Sequence, residues 1–115
     1  MAPYIYFKAD LLLRRWGKGM KTANYTYIVE CSDGTLYTGW TNCIEKRLQE
    51  HNSGKGAKFT RVRRPVKLRY LERSDTKSAA MKREAAIKKL RRSQKQKLIA
   101  ETELEKILME NHISI

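Results

Sequence analysis

Tyr25-Thr26-Tyr27-Ile28-Val29-Glu30-Cys31-Ser32-Asp33-Gly34-Thr35-Leu36-Tyr37-Thr38-Gly39 is the stretch on which the fold turns. Two segments rich in Tyr, Thr, Ile and Val flank the turn signal Ser32-Asp33-Gly34, so the stretch reads as a β-hairpin. With Gly34 in the left-handed position of a three-residue loop, Tyr27 falls opposite Gly39 and Val29 opposite Tyr37. Side chains alternate along a strand, so Tyr27 and Tyr37 then share one face. A two-residue loop would shift the register and part them. In the three-residue register Gly39 leaves a gap beside the Tyr27 ring that another backbone or a substrate can approach.

Working outward, Asn42-Cys43-Ile44-Glu45 has a capping pattern, with the Asn side chain expected to accept an orphan amide. The helix it starts should run to about His51 and bury Ile44 and Leu48. Arg47 and His51, four residues apart, lie one turn above each other. Gly54 or Gly56 suits a left-handed stop. Lys55 to Arg64 reads as a flexible basic loop ending at Pro65, and Val66 to Arg73 alternates as a third strand. Ser74, Asp75 and Thr76 offer caps for a second helix through about Arg92, with Ala80, Glu84, Ile87 and Arg91 along one side. Ser93 with Gln96 resembles the capping box of a third helix reaching about Met109.

Tyr25-Thr26-Tyr27, followed by Tyr37-Thr38-Gly39, resembles the paired signature of the GIY-YIG nuclease superfamily. The resemblance extends through Arg47-Leu48-Gln49-Glu50-His51-Asn52, Gly54-Lys55-Gly56-Ala57-Lys58-Phe59-Thr60-Arg61 and Arg83-Glu84-Ala85-Ala86-Ile87-Lys88-Lys89-Leu90. It spans roughly residues 25–99 and is strongest to the small single-domain bacterial branch. Tyr25 replaces the first Gly of the signature and Thr38 the second Ile. Many members carry a further Asn after the metal-binding Glu, and this sequence does not place one. The expected fold is α+β, a small three-stranded antiparallel sheet flanked by helices in ββαβαα order. The expected organisation is an appended arm over residues 1–20, a nuclease domain over 21–99 and an acidic helical tail over 100–115.

Composition supports a polyanionic partner. The net charge is +13, and residues 55–97 alone carry 17 Lys or Arg against Glu72, Asp75 and Glu84, whereas Glu101, Glu103, Glu105 and Glu110 make the tail acidic. Neutralising phosphates with such a surface releases condensed counterions. No basic helix shows the broad Trp/Phe/Leu face of a membrane-surface helix, and no apolar run is long enough to span a bilayer. The basic residues Arg14, Arg15 and Lys18 follow Leu11-Leu12-Leu13, with Lys8 alone ahead of it, the wrong order for a secretory signal. Cys31 and Cys43 lack metal-ligand spacing and read as reduced core thiols, consistent with the cytoplasm. Trp16-Gly17-Lys18-Gly19 implies a G-rich message just ahead of Met20, which is hypothesised to be the biological start.

The family resemblance implies a metal-dependent endonuclease acting on DNA, with Glu84 holding Mg²⁺ or Mn²⁺. Mg²⁺ prefers oxygen ligands and keeps several waters, so one carboxylate plus a substrate phosphate can suffice. Without a metal, Glu84 would pair with Lys88 four residues on. The resemblance assigns Arg47 to the phosphate, where its fork of donors meets developing charge. His51 is suited to take a proton from water or order a tyrosine hydroxyl. A free phenol titrates near pH 10, so a tyrosine needs help to act as a base at neutral pH. Tyr27 is read as general base or water-positioning group and Tyr37 as orienting water or phosphate, with exchange of roles open. Lys55, Lys58, Arg61 and Lys88 are expected to grip backbone phosphates. Phe59 is placed either to stack on an unpaired base or to enter the core. No helix carries a base-reading pattern, so recognition of branched or damaged DNA, in repair or recombination, is expected over sequence reading. The alternative is a noncatalytic DNA- or RNA-binding protein that keeps the fold.

Overall fold

The hairpin forms in the three-residue register. In the computed structural model, which describes residues 22–115, β1 (Asn24–Glu30) pairs antiparallel with β2 (Leu36–Thr41), setting Tyr27 opposite Gly39 and Val29 opposite Tyr37. Gly34 takes φ +84°, and Cys31 N–H donates to the Thr35 carbonyl at 2.8 Å to close the loop. A third strand, β3 (Lys67–Ser74), pairs antiparallel with the other side of β1, giving the sheet order β2-β1-β3. The expectations for residues 1–20, an appended arm and Met20 as start, lie outside the described residues.

β3 carries a bulge that the alternating pattern did not announce. Ile28 pairs with Tyr70 and Val29 with Leu68, so Arg69 is the extra residue. Leu68 and Leu71 thereby face one side of the sheet with Tyr25, Tyr27 and Val29, while Tyr70 faces the other with Ile28. Both sides are covered. α1 (Ile44–Ser53) buries Ile44 and Leu48 on the Tyr27 side, and α3 (Lys77–Lys88) buries Ile87 on the Ile28 side. Each such aliphatic side chain, fully buried, contributes about 1.5–3 kcal/mol. Thr76 caps α3 by accepting the Ala79 N–H, and Thr26 Oγ1 donates to the Ala80 carbonyl at 2.9 Å, fixing α3 against β1. Cys31 and Cys43 are buried and form no disulfide.

Several boundaries differ from expectation. The N-cap of α1 is Cys43, whereas Asn42 remains exposed. The basic loop contains a short helix, α2 (Lys58–Arg61), after the left-handed Gly54 ends α1. The last expected helix is two, α4 (Arg92–Glu101) and α5 (Leu104–Glu110), and α4 starts with Gln94 Oε1 accepting the Arg91 N–H, not at a Ser93–Gln96 box. Packing explains the break. Leu98 and Ile99 join the cluster on the Ile28 side, whereas Leu104, Ile107 and Leu108 join the cluster on the Tyr27 side. One straight helix cannot bury residues on both faces of a sheet, so the chain turns through extended Thr102 beside β3. The element order is therefore ββααβααα. Among the described residues no helix is long and apolar enough to cross a membrane.

Candidate active site

Gly39 shapes the site by lacking a side chain. A Cβ there would sit 2.5 Å from the Tyr27 hydroxyl oxygen, so the gap expected beside Tyr27 is filled by the Tyr27 ring itself. The phenol meets α1. Ile44, Leu48 and His51 form the buried stripe of that helix, and His51 Nε2 lies 2.8 Å from Tyr27 Oη. Arg47, one turn earlier, donates from Nε to the same oxygen at 3.3 Å and from Nη1 to Glu50 at 3.3 Å. Glu84 approaches from α3 closely enough for its charge to act on Tyr27.

The hydrogen bonds fix the His51 tautomer. Thr60 Oγ1 lies 2.7 Å from His51 Nδ1 and 3.0 Å from the Ala57 carbonyl. A carbonyl only accepts, so the Thr60 hydroxyl gives its proton to Ala57 and accepts from Nδ1–H. Nε2 is then unprotonated and accepts the Tyr27 O–H. Burial, with the Arg47 charge beside it, lowers the His51 pKa to about 4, which keeps the ring neutral at pH 7. Burial raises the Tyr27 pKa to about 12, against the opposing pull of the Arg47 hydrogen bond and charge. Gly56 completes the wall, since a Cβ there would come 2.6 Å from His51 Nδ1.

Tyr27, Tyr37, Arg47, His51 and Glu84 thus gather from β1, β2, α1 and α3. The Tyr37 ring stands edge-on to His51 with centroids 5.5 Å apart. Their exposure separates them: Tyr27 and His51 are wholly buried, whereas Tyr37, Arg47 and Glu84 retain surface. Lys55, Lys58 and Arg61 are exposed around α2. Lys88 is exposed and pairs with Glu84 at 3.5 Å. Phe59 does not enter the core: it is 39% exposed and stacks on Tyr37 at 5.9 Å and 22°, with the Arg63 guanidinium 4.0 Å over its ring. Thr60 was not singled out from sequence, and Gly56 was read only as a candidate helix stop. Their signal was available only indirectly, because a buried histidine needs a partner for its second nitrogen.

The Glu84 carboxylate is an oxygen donor of the kind a hard divalent cation takes. Among the described residues no three His, Cys, Asp or Glu side chains gather, which rules against an all-protein cage there. A lone, partly exposed carboxylate matches the way Mg²⁺ is held by one or two carboxylates, waters and substrate phosphate.

The chain is similar in sequence to known proteins. A family model for the GIY-YIG catalytic domain matches residues 23–97. The chain is 68% identical over 77 residues to a UPF0213 protein of Syntrophus aciditrophicus, covering 66% of this chain and 88% of that one. It is 58% identical over 78 residues to a UPF0213 protein of Staphylococcus saprophyticus, covering 68% and 95%. A solution NMR structure of a UPF0213 protein from Bacillus halodurans is 43% identical and covers 67% of this chain and 82% of that one, with a TM-score of 0.45. The chain belongs to the GIY-YIG nuclease superfamily, in its UPF0213 branch.

Proposed function

We propose that the protein is a metal-dependent endonuclease that hydrolyses DNA phosphodiester bonds, selecting structure over sequence in repair or recombination. One observation carries the reading. Tyr27 and His51 form a buried hydrogen-bonded relay, anchored by Thr60, with partly exposed Arg47 bonded to the phenol and Tyr37 edge-on to the imidazole. A fold kept only for binding has no use for a desolvated phenol with a neutral imidazole fixed in one tautomer behind it.

The burial pattern favours exchanging the tyrosine roles. Tyr27 is sealed beneath Arg47 and over Gly39, so it holds Arg47 and His51 in place while partly exposed Tyr37 faces the attacking water. Arg47 retains donors beyond those given to Tyr27 and Glu50, and these bind a nonbridging phosphate oxygen. Neutral His51 keeps the Tyr27 proton directed inward, leaving Arg47 as the local positive charge. Glu84 would hold Mg²⁺ or Mn²⁺, which when bound polarises the phosphoryl oxygen and acidifies water. Lys88, paired with Glu84, neutralises the carboxylate until then.

Glu84→Ala should reduce cleavage of DNA by at least about 10²–10³-fold, the scale for losing one electrostatic stabiliser of a transition state. DNA affinity should hold within about threefold. Tyr37→Phe should be nearly inactive, whereas Tyr27→Phe should keep some activity. Cleavage assays on branched, single-stranded and duplex DNA with either metal test all three variants. Binding without cleavage on every substrate would leave a noncatalytic DNA- or RNA-binding protein as the function.

A further inference from the structure

We propose that Arg63 is a shelf for an unpaired nucleobase, so that the preferred substrate is DNA with an unpaired nucleotide beside the bond to be cut. This rests on the nuclease reading in that it takes DNA to lie across Tyr37 and Arg47. Tyr37, Phe59 and Arg63 form a continuous stack leading outward from the candidate active site. The two rings are 5.9 Å apart and 22° from parallel, and Arg63 Cζ lies 4.0 Å from the Phe59 centroid.

The outer layer is unusually well fixed. Arg63 Nε donates to Asp33 Oδ2 at 3.1 Å and Nη1 donates to the Phe59 carbonyl at 2.8 Å. Its own carbonyl accepts the Ser32 N–H at 2.9 Å and the Ser32 hydroxyl at 3.0 Å. Asp33 is held in turn, its Oδ1 accepting from Thr35 N–H at 3.1 Å and Thr35 Oγ1 at 2.6 Å. The hairpin turn therefore clamps the guanidinium over the ring.

A cation needed only for phosphates gains nothing from such a clamp, and Lys58 and Arg61 beside it are exposed for that task. A fixed plane is what stacking requires, because an ordered surface loses little entropy on contact. A third of the Arg63 side chain remains exposed, at the end of the stack away from Tyr37. Bases stack on arginine planes and aromatic rings without regard to sequence. Bases within a duplex already have both faces covered, so only an unpaired one can take this place.

The test is binding in excess EDTA of single strands carrying 2-aminopurine at successive positions, beside a duplex of the same sequence. The unsubstituted protein should change the fluorescence at one position. Arg63→Ala should remove that change and weaken single-strand binding about tenfold, the scale for one stacked base. Duplex affinity should fall no more than about twofold. Arg63→Lys keeps the charge and should lose most of the signal. Equal losses on single strand and duplex, or an unchanged signal in both variants, would overturn the shelf and make Arg63 a phosphate contact or a structural clamp. Because no metal is present, a shelf signal without any cleavage elsewhere counts against the nuclease reading alone. Cleavage without the signal counts against the shelf alone.

Discussion

His51 sits on a helix face that the sequence could place but not bury. The spacing of Ile44, Leu48 and His51 put the imidazole on the apolar stripe, yet histidine at a helix end is as often solvated near the dipole. What decides the matter is tertiary: Gly56 lets the loop pass against the ring, and Thr60 returns to satisfy Nδ1. A pH dependence follows. The ordinary histidine pKa of 6.5 falls to about 4 in the folded state, so between these values the unfolded chain binds more protons. Stability is therefore full above pH 6.5 and lost as pH falls towards 4, by on the order of 3 kcal/mol. Urea unfolding at pH 7 and pH 4 should show this loss, and His51→Gln should lack that share of it. If the two proteins lose the same stability, His51 is not the group responsible. Gly56→Ala should cost about 1–3 kcal/mol, since its Cβ would stand 2.8 Å from the His51 backbone, and should shift the imidazole ¹⁵N resonances. The shared face of the two tyrosines was legible from the hairpin register and Arg47 was marked by the family resemblance, while Thr60 and Gly56 depend on how a loop closes.

At the scale of elements, the hairpin was readable because turn chemistry and side-chain alternation agreed on one register. The carboxyl-terminal half was harder. Leu98, Ile99, Leu104, Ile107 and Leu108 fit a single helical pattern, but their two groups belong on opposite faces of the sheet. Periodicity says that residues are apolar on a helix and is silent about which surface they cover. The bulge at Arg69 was hidden for a similar reason, because only pairing with β1 shows that Tyr70 and Leu71 must part. The acidic segment is thus tied into the main core: Leu108 is 8% exposed, Arg73 Nη1 donates to Asn111 Oδ1 at 2.7 Å, and Ser114 N–H donates to Glu45 at 3.0 Å. Leu108→Ala should cost about 2–5 kcal/mol by leaving a cavity under β3. Neighbouring Met109, 76% exposed, should lose no more than about 0.5 kcal/mol as Ala. Comparable losses in the two variants would mean that α5 packs by general contact and not through Leu108.

Over the whole molecule, α3 and α4 pack on the Ile28 side of the sheet and carry Lys82, Lys88, Arg92, Lys95 and Lys97, whereas α5, with Glu105 and Glu110, packs on the Tyr27 side. Composition announced a polyanionic partner but not its path, because the path depends on which helices share a face. Two paths give different salt dependence. For duplex DNA the slope of log binding constant against log salt is about −0.9 per phosphate neutralised. If DNA touches the protein chiefly around α2, through Lys55, Lys58 and Arg61, a slope near about −3 is expected. If it also runs along α3 and α4, the slope steepens to about −5 or beyond. The second path is expected, since Lys88 beside Glu84 joins the candidate active site to that helical face. Replacing Lys55, Lys58 and Arg61 together by Gln should then reduce the slope by roughly 3 and leave a substantial remainder. A slope that falls to zero in the triple variant would confine DNA to α2. A slope unchanged by it would place the DNA elsewhere and separate the basic loop from the site it borders.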